Sequence, residues 1–311
     1  MSRIPAPLFE DPIYGGPADP TMIRNAQTGK YYLFYTQRRA SAAAEGSVAY
    51  CYGSKIGVAE SDDGAYWYYR GALDLEFEFG DNTFWAPEIM MDPSTGLYHM
   101  YVTYIRGIHR IWAGDACILH YTSEDLLHWK KVGKTEIESS RVIDSCVYPL
   151  PSGGWRMWYK DERSGSHTFC ADSADLYHWE EKGQATFDHA QEGPNVFALG
   201  GKYWLICCEG EGLSVYSSDD LTHFERQDGP RLLSGEGKRK MDNAVGRHAD
   251  VYVTEGGRAY IVYFVHYHDP LEGEIRETRT HAPTVLQMAE LRVENGRLIC
   301  DRNAEPDFCE N

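Results

Sequence analysis

The sequence predicts an all-β protein folded as a five-bladed β-propeller, and phrases that recur along the chain carry this prediction. The first phrase is a glycine followed by aromatic and aliphatic residues in a strand-like run. It occurs five times, at residues 29–35, 96–102, 154–159, 201–206 and 257–263, with its glycines 67, 58, 47 and 56 residues apart. Intervals of this size, each with room for several short strands, are typical of propeller blades rather than of helical solenoids.

A second phrase combines serine and aspartate with a later aromatic residue. It occurs at 123–129, 173–179 and 218–224, with a looser copy at 61–67. Serine and aspartate favour turns, so we interpret the phrase as the turn that joins the last two strands of a blade. Its histidines recur with the phrase, which favours a scaffold role at the blade edge over a functional one. These histidines are His128, His178 and His223.

The third phrase precedes each glycine run and is expected to begin the first strand of each blade. Asp19, Ala86 and Asp144 lie 10 residues before their glycines. Glu192 and His248 lie 9 residues before theirs. The first strands of a propeller line its central channel, so residues at equal positions meet at one mouth. We therefore expect these side chains in one cleft, although they span 230 residues of sequence.

The C-terminal part of the chain is predicted to finish the propeller. Residues 284–293 alternate with the period of a strand and Asn295-Gly296 marks a tight turn. The segment 284–300 is therefore predicted to be a hairpin that completes or braces the last blade. The charged segment 268–281 is expected to be a surface loop that borders the cleft. We expect residues 1–311 to form a single five-bladed catalytic domain.

Composition narrows the function classes. With 42% hydrophobic and 25% charged residues, the chain has the make-up of a soluble globular protein, and it contains no run of eighteen apolar residues. A net charge of −17 opposes binding to nucleic acid or to an anionic membrane and suits a neutral substrate. Eight cysteines without a C-x-x-C pair predict reduced, packed thiols and a cytoplasmic protein.

The expected cleft has the chemistry of acid–base catalysis. Three converging carboxylates raise one another's pKa values, so one can stay protonated while the others ionise. Hydrolysis of a glycosidic bond uses that division, because an acid protonates the leaving oxygen while a base activates water. Taken alone, Glu192 before a Gly-Pro break would more often be a solvated loop residue, and the recurrence of the phrase favours a functional role. Trp85, Trp112 and Tyr14 are candidate sugar-stacking faces, although each is also a common packing residue of propellers.

Taken in order, these tracts resemble those of glycoside hydrolase family 43 and its five-bladed propeller relatives. The matching tracts are Ala18-Asp19-Pro20, Trp85-Ala86-Pro87, Ile143-Asp144, Glu192-Gly193-Pro194 and Gly246-Arg247-His248-Ala249-Asp250. The resemblance implies that Asp19 is the general base, Glu192 the general acid, and Asp144 the residue that positions the acid and tunes its protonation. It also implies inversion of the anomeric centre, mostly with release of arabinofuranose or xylose. His248 would lie at the channel centre, where members of the family often hold a calcium or sodium ion through water; no cofactor is expected to be required.

Further candidates for substrate binding surround the expected cleft. Arg38 or Arg39 could reach a sugar hydroxyl or a substrate carboxylate, but adjacent residues of a strand cannot both face the cleft. Arg247 joins the substrate-binding set beside the channel histidine. His266 and His268 would share one strand face and could hold a metal, but the sequence offers no third ligand.

The sequence therefore predicts an exo-acting, inverting glycoside hydrolase whose partner is a small carbohydrate, an arabinofuranoside or a xyloside. The exo mode depends on the segments 38–55, 105–116 and 268–283, which are long enough to wall a closed pocket. Two alternatives stay open, a carbohydrate-binding propeller without catalysis and a retaining enzyme of the fructosidase type. Closely spaced carboxylates disfavour the first, and the lack of Arg-Asp-Pro and Glu-Cys tracts disfavours the second.

Overall fold

The computed structural model describes residues 2–186, 189–268 and 283–310 as five antiparallel four-stranded sheets, arranged as the blades of a propeller. The predicted all-β, five-bladed fold is confirmed. A short strand, β1 (Ser2–Arg3), precedes the blades. Blade I consists of β2 (Pro17–Arg24), β3 (Tyr31–Gln37), β4 (Lys55–Ser61) and β5 (Tyr68–Ala72). Two 3₁₀ turns, Ala40–Ala42 and Ala49–Cys51, lie between β3 and β4, where the sequence predicted loop.

The other four blades repeat the same meander. Blade II consists of β6 (Asn82–Met91), β7 (Tyr98–Arg106), β8 (Ala116–Ser123) and β9 (Lys130–Lys134). Blade III consists of β10 (Val142–Pro149), β11 (Trp155–Asp161), β12 (His167–Ser173) and β13 (Glu180–Gln184). Blade IV consists of β14 (Glu192–Leu199), β15 (Lys202–Cys208), β16 (Leu213–Ser218) and β17 (Glu225–Arg226). Blade V consists of β18 (Gly246–Val253), β19 (Ala259–Val265), β20 (Val285–Glu294) and β21 (Arg297–Cys300), and β22 (Asp307–Phe308) ends the chain.

The recurring phrases occupy equivalent places in these sheets. The glycine runs form the second strand of each blade, and the serine–aspartate phrases join the third strand to the fourth, as predicted. The segment predicted as a C-terminal hairpin supplies β20 and β21, with Glu294 opposite Arg297 at the turn. Of the predicted surface loop 268–281, only His268 lies within the described residues.

Most of the hydrophobic core lies between neighbouring blades. Phe34 of blade I, for example, packs in a cluster with Met100 and Val102 of blade II, and all three are fully buried. Burying a side chain of this size stabilises the fold by roughly 1.5–3 kcal/mol. Because each such cluster needs side chains from two blades, the blades stabilise one another rather than folding as separate sheets.

The two ends of the chain close the ring between blades V and I. Strand β1 pairs with β22, with Ser2 opposite Phe308. The Phe308 ring lies 5.1 Å from that of Tyr31 in blade I and 4.9 Å from that of Tyr260 in blade V. One aromatic side chain therefore joins the first and the last blade.

Polar side chains connect the first strands around the channel. Asp250 Oδ2 accepts a hydrogen bond from the Met22 N–H at 2.7 Å, and Asn195 Nδ2 donates to Asp250 Oδ1 at 2.8 Å. Glu88 Oε1 accepts from the Val147 N–H at 2.9 Å. These buried bonds link blades V and I, IV and V, and II and III, so they set how the first strands align around the axis.

Two further features bear on the chemistry of the chain. All eight cysteines lie in the described part of the chain, and none of them is in a disulfide. Within that same part, no helix combines the length and the apolar character needed to cross a bilayer.

Candidate active site

The candidate active site is a pocket of about 750 Å³ at the N-terminal ends of the first strands of the blades. Asp19, Asp144 and Glu192 all line it, together with His248. Four different blades supply these four side chains. The pocket therefore contains four of the five residues that the sequence predicted to meet at one channel mouth, and Trp85 rather than Ala86 lines it from blade II.

A β-bulge at the start of each first strand turns these side chains into the pocket. The ladder shifts after Ala18 in blade I, and the corresponding shift occurs in every other blade. Asp19 and Asp144 lie in these bulges with φ of 49° and 57°. Aspartate tolerates this left-handed conformation better than most residues, which suits it to a bulge that aims a side chain at a site.

The bulges correct one detail of the predicted spacing. In blade IV the bulge residue with positive φ is Gly193, at 58°, and not Glu192. The ladder shift after Glu192 corresponds to the shift after Ile143 in blade III, so Glu192 lies one residue earlier than Asp144. The equal placement expected for the three acids is wrong for Glu192, whose side chain enters the pocket from the neighbouring position.

Asp19 is buried and held as a carboxylate by cations. Arg38 Nη2 lies 3.2 Å from both of its carboxylate oxygens, and His248 Nδ1 lies 3.4 Å from Oδ1. Burial by itself would raise the pKa of Asp19, but Arg38, His248 and a hydrogen bond from Thr36 outweigh burial and lower it below its ordinary value. Asp19 is therefore an ionised group at neutral pH.

Asp144 has the opposite character. Its side chain is buried, with Oδ2 accepting a hydrogen bond from the Gly193 N–H at 3.2 Å and lying 4.0 Å from His248 Nδ1. Burial raises the pKa of Asp144 to about 6; His248 opposes this shift, and the nearby charge of Glu192 adds to it. Two carboxyls on either side of one histidine therefore differ in their readiness to take up a proton.

Glu192 is the most exposed of the three acids, with 44% of its side chain accessible, and it pairs with a lysine. Lys160 Nζ lies 3.3 Å from Glu192 Oε2 and 3.2 Å from Glu162 Oε1. Glu162 in turn is bonded to the Arg141 guanidinium, which also donates to the Gly114 carbonyl. Asp19 and Asp144 thus share His248 as a neighbour, whereas Glu192 pairs with Lys160.

Sequence reasoning assigned no role to Lys160, Glu162 or Arg141, although all three line the pocket. A usable signal was the position of Lys160 in the second strand. It lies opposite Ile143 at the bulge, as Thr36 lies opposite Ala18 in blade I. A lysine where another blade has a threonine marks a position that differs from the repeated scaffold.

Aromatic residues form one wall of the pocket. Trp85 is buried and donates its indole N–H to the Cys51 carbonyl at 2.6 Å. Trp112 is 60% exposed, and its ring lies 5.9 Å from that of Trp85. Of the predicted sugar-stacking residues, Tyr14 is the exception, because it does not line the pocket. Trp112 is thus the aromatic face that is open to a ligand.

The two adjacent arginines of blade I separate as expected. Arg38 lines the pocket, with its guanidinium 4.9 Å from the centre of the Phe264 ring. Arg39 turns away and donates to the carbonyl oxygens of Tyr52 and Ala49 at 2.8 and 2.7 Å. Arg247, the other predicted substrate-binding arginine, lines the pocket from blade V.

The residues around His248 do not form a set of direct metal ligands. The Nδ1 atom of His248 faces Asp19 and Asp144, and within residues 2–186, 189–268 and 283–310 no group of three or more His, Cys, Asp or Glu could hold a metal ion. His266 and His268 both line the pocket. An ion held near His248 through water stays a prediction, and no chemical step is assigned to it.

Comparison with known proteins points to the same group of enzymes. No family model matches the chain. It is 27% identical over 222 residues to a probable arabinan endo-1,5-α-L-arabinosidase A of Emericella nidulans, covering 67% of this chain and 62% of that protein. It is 25% identical over 273 residues to arabinan endo-1,5-α-L-arabinosidase A of Aspergillus niger, covering 78% of this chain and 77% of that protein.

The fold comparison covers almost the whole chain. A crystal structure of a thermostable family-43 glycoside hydrolase superposes with a TM-score of 0.71 and 19% identity, over 97% of this chain and 100% of that one. This likeness shows the fold, and the sequence matches independently point to glycosidases. The chain is thus similar in sequence to arabinan-cleaving glycosidases and in fold to a family 43 glycoside hydrolase.

Proposed function

We propose that this chain, given its similarity to family 43 glycoside hydrolases, is an inverting glycosidase whose substrates are α-L-arabinofuranosides. The observation that carries the proposal is that one pocket holds two carboxyls from different blades in different surroundings. Asp19 is buried and held ionised by Arg38, whereas Glu192 is more exposed and pairs with a different partner, Lys160. Glycoside hydrolysis needs an ionised base and a protonated acid within one site.

In the proposed mechanism, Asp19 takes a proton from a water molecule as the water oxygen attacks the anomeric carbon. Glu192 donates its proton to the glycosidic oxygen as the bond between that oxygen and the anomeric carbon breaks. The sugar leaves with inverted configuration because attack and departure occur on opposite faces. Asp144 acts through its hydrogen bond with the Gly193 N–H, which fixes the start of β14 where Glu192 lies.

Polar side chains of the pocket would orient the sugar. Within the described part of the chain, Arg247 makes no hydrogen bond or ion pair, which leaves its guanidinium available to sugar hydroxyls in the pocket. Arg38 is less available to the sugar, because its guanidinium is paired with Asp19. Trp112 provides the exposed aromatic face for a second sugar or an aglycone.

The arabinofuranoside is preferred to the xyloside because the curated relatives are named as arabinan-cleaving enzymes. We propose the exo mode because Tyr50 and Cys51 from the segment 38–55, with Trp112 from the segment 105–116, wall the pocket. Endo action is the second candidate, and the names of the same relatives favour it.

Two measurements test the proposal. The wild-type protein is assayed on aryl α-L-arabinofuranosides and aryl β-D-xylosides, and the first-formed anomer of the product is followed by proton NMR. Inversion of the anomeric centre is expected, and a retained configuration would overturn the mechanism. Digestion of linear arabino-oligosaccharides then separates the modes, because exo action releases arabinose alone from the start and endo action releases shorter oligosaccharides.

A further inference from the structure

A buried chain of alternating charges ends at the proposed general acid, and the proposed mechanism does not use it. Lys160 lies at the end of β11 with 10% of its side chain exposed, and its ammonium is shared between Glu192 and Glu162. The Arg141 guanidinium fixes Glu162 from the other side. The lysine is thus buried between two carboxylates that both line the pocket, and only Glu192 is assigned a proton transfer.

The contact between Lys160 and Glu192 opposes the role of Glu192 as a general acid. A general acid carries a proton before it gives one up, and an ammonium group 3.3 Å away stabilises the carboxylate form instead. Burial opposes the charge of Lys160, but Glu192, Asp144 and Glu162 outweigh burial and raise the pKa of the lysine. Lys160 therefore stays charged at neutral pH.

We propose that Lys160 is a positioning residue that controls the protonation of Glu192, because its ammonium group is shared between Glu192 and Glu162. Glu162 draws part of the lysine charge away from Glu192, which leaves Glu192 able to take up a proton from solvent and to hold it against the glycosidic oxygen. Glu162 stays beside the lysine because Arg141 keeps its carboxylate in place. The inference rests on the proposed function, since it takes Glu192 as the acid.

Other charged groups face the same carboxylates and must be held constant in a test. Asp144 from β10 and Arg38 from blade I act on Glu192 electrostatically, and Cys208 of β15 lies close enough to be affected by it. The other ionisable residues that line the pocket are Asp19, Tyr50, Cys51, Arg141, Arg247, His248, His266 and His268. Substituting Lys160 also removes its charge from Asp144, and substituting Glu162 removes the partner of Arg141, so the Glu192 resonance itself is followed beside the activity.

The test uses Lys160→Met, Lys160→Arg and Glu162→Gln in the full chain, with Lys30→Met as the matched control. Lys30 also pairs with two carboxylates, Glu60 at 2.6 Å and Asp62 at 3.3 Å, but it lies outside the pocket. Each protein is labelled with carbon-13 at its glutamate carboxyls and titrated by NMR, and Glu192→Gln identifies the resonance of the acid. The pH profile of kcat/KM on an aryl arabinofuranoside is measured alongside.

The two substitutions act in opposite directions. Lys160→Met moves the Glu192 titration and the alkaline limb of kcat/KM to higher pH by about one unit or more, because a cation no longer favours the ionised form. Glu162→Gln moves both to lower pH, because Lys160 then has Glu192 as its remaining close partner and a like charge is gone. Lys160→Arg and Lys30→Met leave the titration near that of the wild type.

Unchanged titrations in both Lys160→Met and Glu162→Gln would overturn the inference, as would shifts of the same sign. If Lys160→Met does not fold, Glu162→Gln and Lys160→Arg still decide the question. Failure of the proposed function looks different. In that case the wild type cleaves no glycoside, or Glu192→Gln retains full activity, whereas the NMR titration still reports the coupling of Lys160 to Glu192.

Discussion

The inner bulges and the outer turns are both repeated around the propeller, but they use their residues differently. The outer turns keep their residue types. Ser123, Ser173 and Ser218 each accept a hydrogen bond from a leucine N–H three residues later at 2.9 Å. Four of the inner bulges share a residue with positive φ but change its side chain, with Asp19, Ala86, Asp144 and Gly193 at equivalent places, and the bulge of blade V carries His248.

The difference separates scaffold from function. A turn that performs the same local task in each blade needs the same hydrogen-bonding atoms each time. At the channel mouth, the repeated backbone brings five positions together, and each position can then carry a different group. In a propeller, a position whose geometry repeats and whose residue does not is therefore the better candidate for chemistry.

The largest effect is expected from the loss of a carboxylate at the channel mouth. Asp19→Asn and Glu192→Gln are each expected to lower kcat by roughly 10²–10⁴-fold, the contribution of a general acid or base. The two should respond differently to the leaving group. A highly activated aryl arabinofuranoside needs little protonation, so it restores much of the rate of Glu192→Gln but little of that of Asp19→Asn.

Steady-state kinetics on a series of aryl arabinofuranosides measure this contrast, and circular dichroism verifies that both variants are folded. Near-normal activity of either variant on an unactivated substrate would remove that residue from its assigned role.

Substitution of Asp144 is expected to lower activity but to raise stability relative to the wild type at high pH. Its pKa is raised from 3.8 to about 6, so the stability associated with it is present below about pH 4 and is lost as pH rises through 6. This rise in the pKa of Asp144 corresponds to about 3 kcal/mol of folding free energy. Asp144→Asn is expected to lower activity at least tenfold, because Asp144 positions the start of β14. It should also become more stable relative to the wild type as the pH increases.

Urea unfolding of both proteins near pH 4 and near pH 8 measures this difference. A stability gain that is the same at both pH values would contradict the buried, proton-linked state of Asp144.

A matched pair of glycines sharpens the comparison at the level of the backbone. Gly193 and Gly201 both have positive φ, of 58° and 80°. A Cβ on Gly201 would meet nothing within 4 Å, whereas one on Gly193 would lie 2.6 Å from the His248 ring. Both alanine variants should lose about 1–2 kcal/mol of stability from backbone strain.

Only Gly193→Ala should also lower kcat/KM, by about tenfold or more, because it displaces the histidine between the two aspartates. Equal kinetics for the two variants would show that the position of His248 does not matter to activity.

The outer turns should respond in stability alone. The Ser173 hydroxyl is buried and accepts from the N–H groups of Asp175 and Leu176 at 3.3 and 2.9 Å. Ser173→Ala is expected to lower the free energy of unfolding by about 1 kcal/mol, since a buried backbone donor loses its acceptor. Urea denaturation measures the loss, and kcat/KM should equal that of the wild type.

The smallest effect is expected for the histidines of the outer turns. His178 is exposed and contacts Asp175 Oδ2 through Nδ1 at 2.8 Å, and His128 and His223 repeat this contact in their own turns. His178→Ala should leave kcat/KM unchanged across the pH range. A change in the pH profile would assign a function to a residue that the repeat makes part of the scaffold.

Much of this arrangement could be predicted from the sequence because propeller repeats leave local marks. Gly29 and Gly96 mark the turns before second strands, and the serine–aspartate phrases mark the turns before fourth strands. The three predicted acids lie in one pocket because the first strands of all blades begin at the same end of the central channel. The pairing of Arg38 with Asp19 could not be predicted, since it depends on where the chain turns after β3.

The same limit explains two of the details that sequence reasoning missed. The turn between the first two strands has five residues in blade III, 150–154, and two in blade IV, 200–201, so counting back from Gly201 placed Glu192 one position away from its true equivalent. Tyr14 and Trp112 are both aromatic residues of loops, and only the packing of Trp112 against Trp85 brings one of them to the pocket.

The sequence by itself determined the number of blades, the order of their strands and the residue types available at the channel mouth. These follow from hydrophobic period and turn chemistry, which act over a few residues at a time. Only the tertiary structure decided the charge state of each group. Whether a carboxyl is ionised depends on its burial and on the charged groups that the fold brings beside it, such as Arg38 beside Asp19 within blade I and His248 of blade V beside Asp144 of blade III.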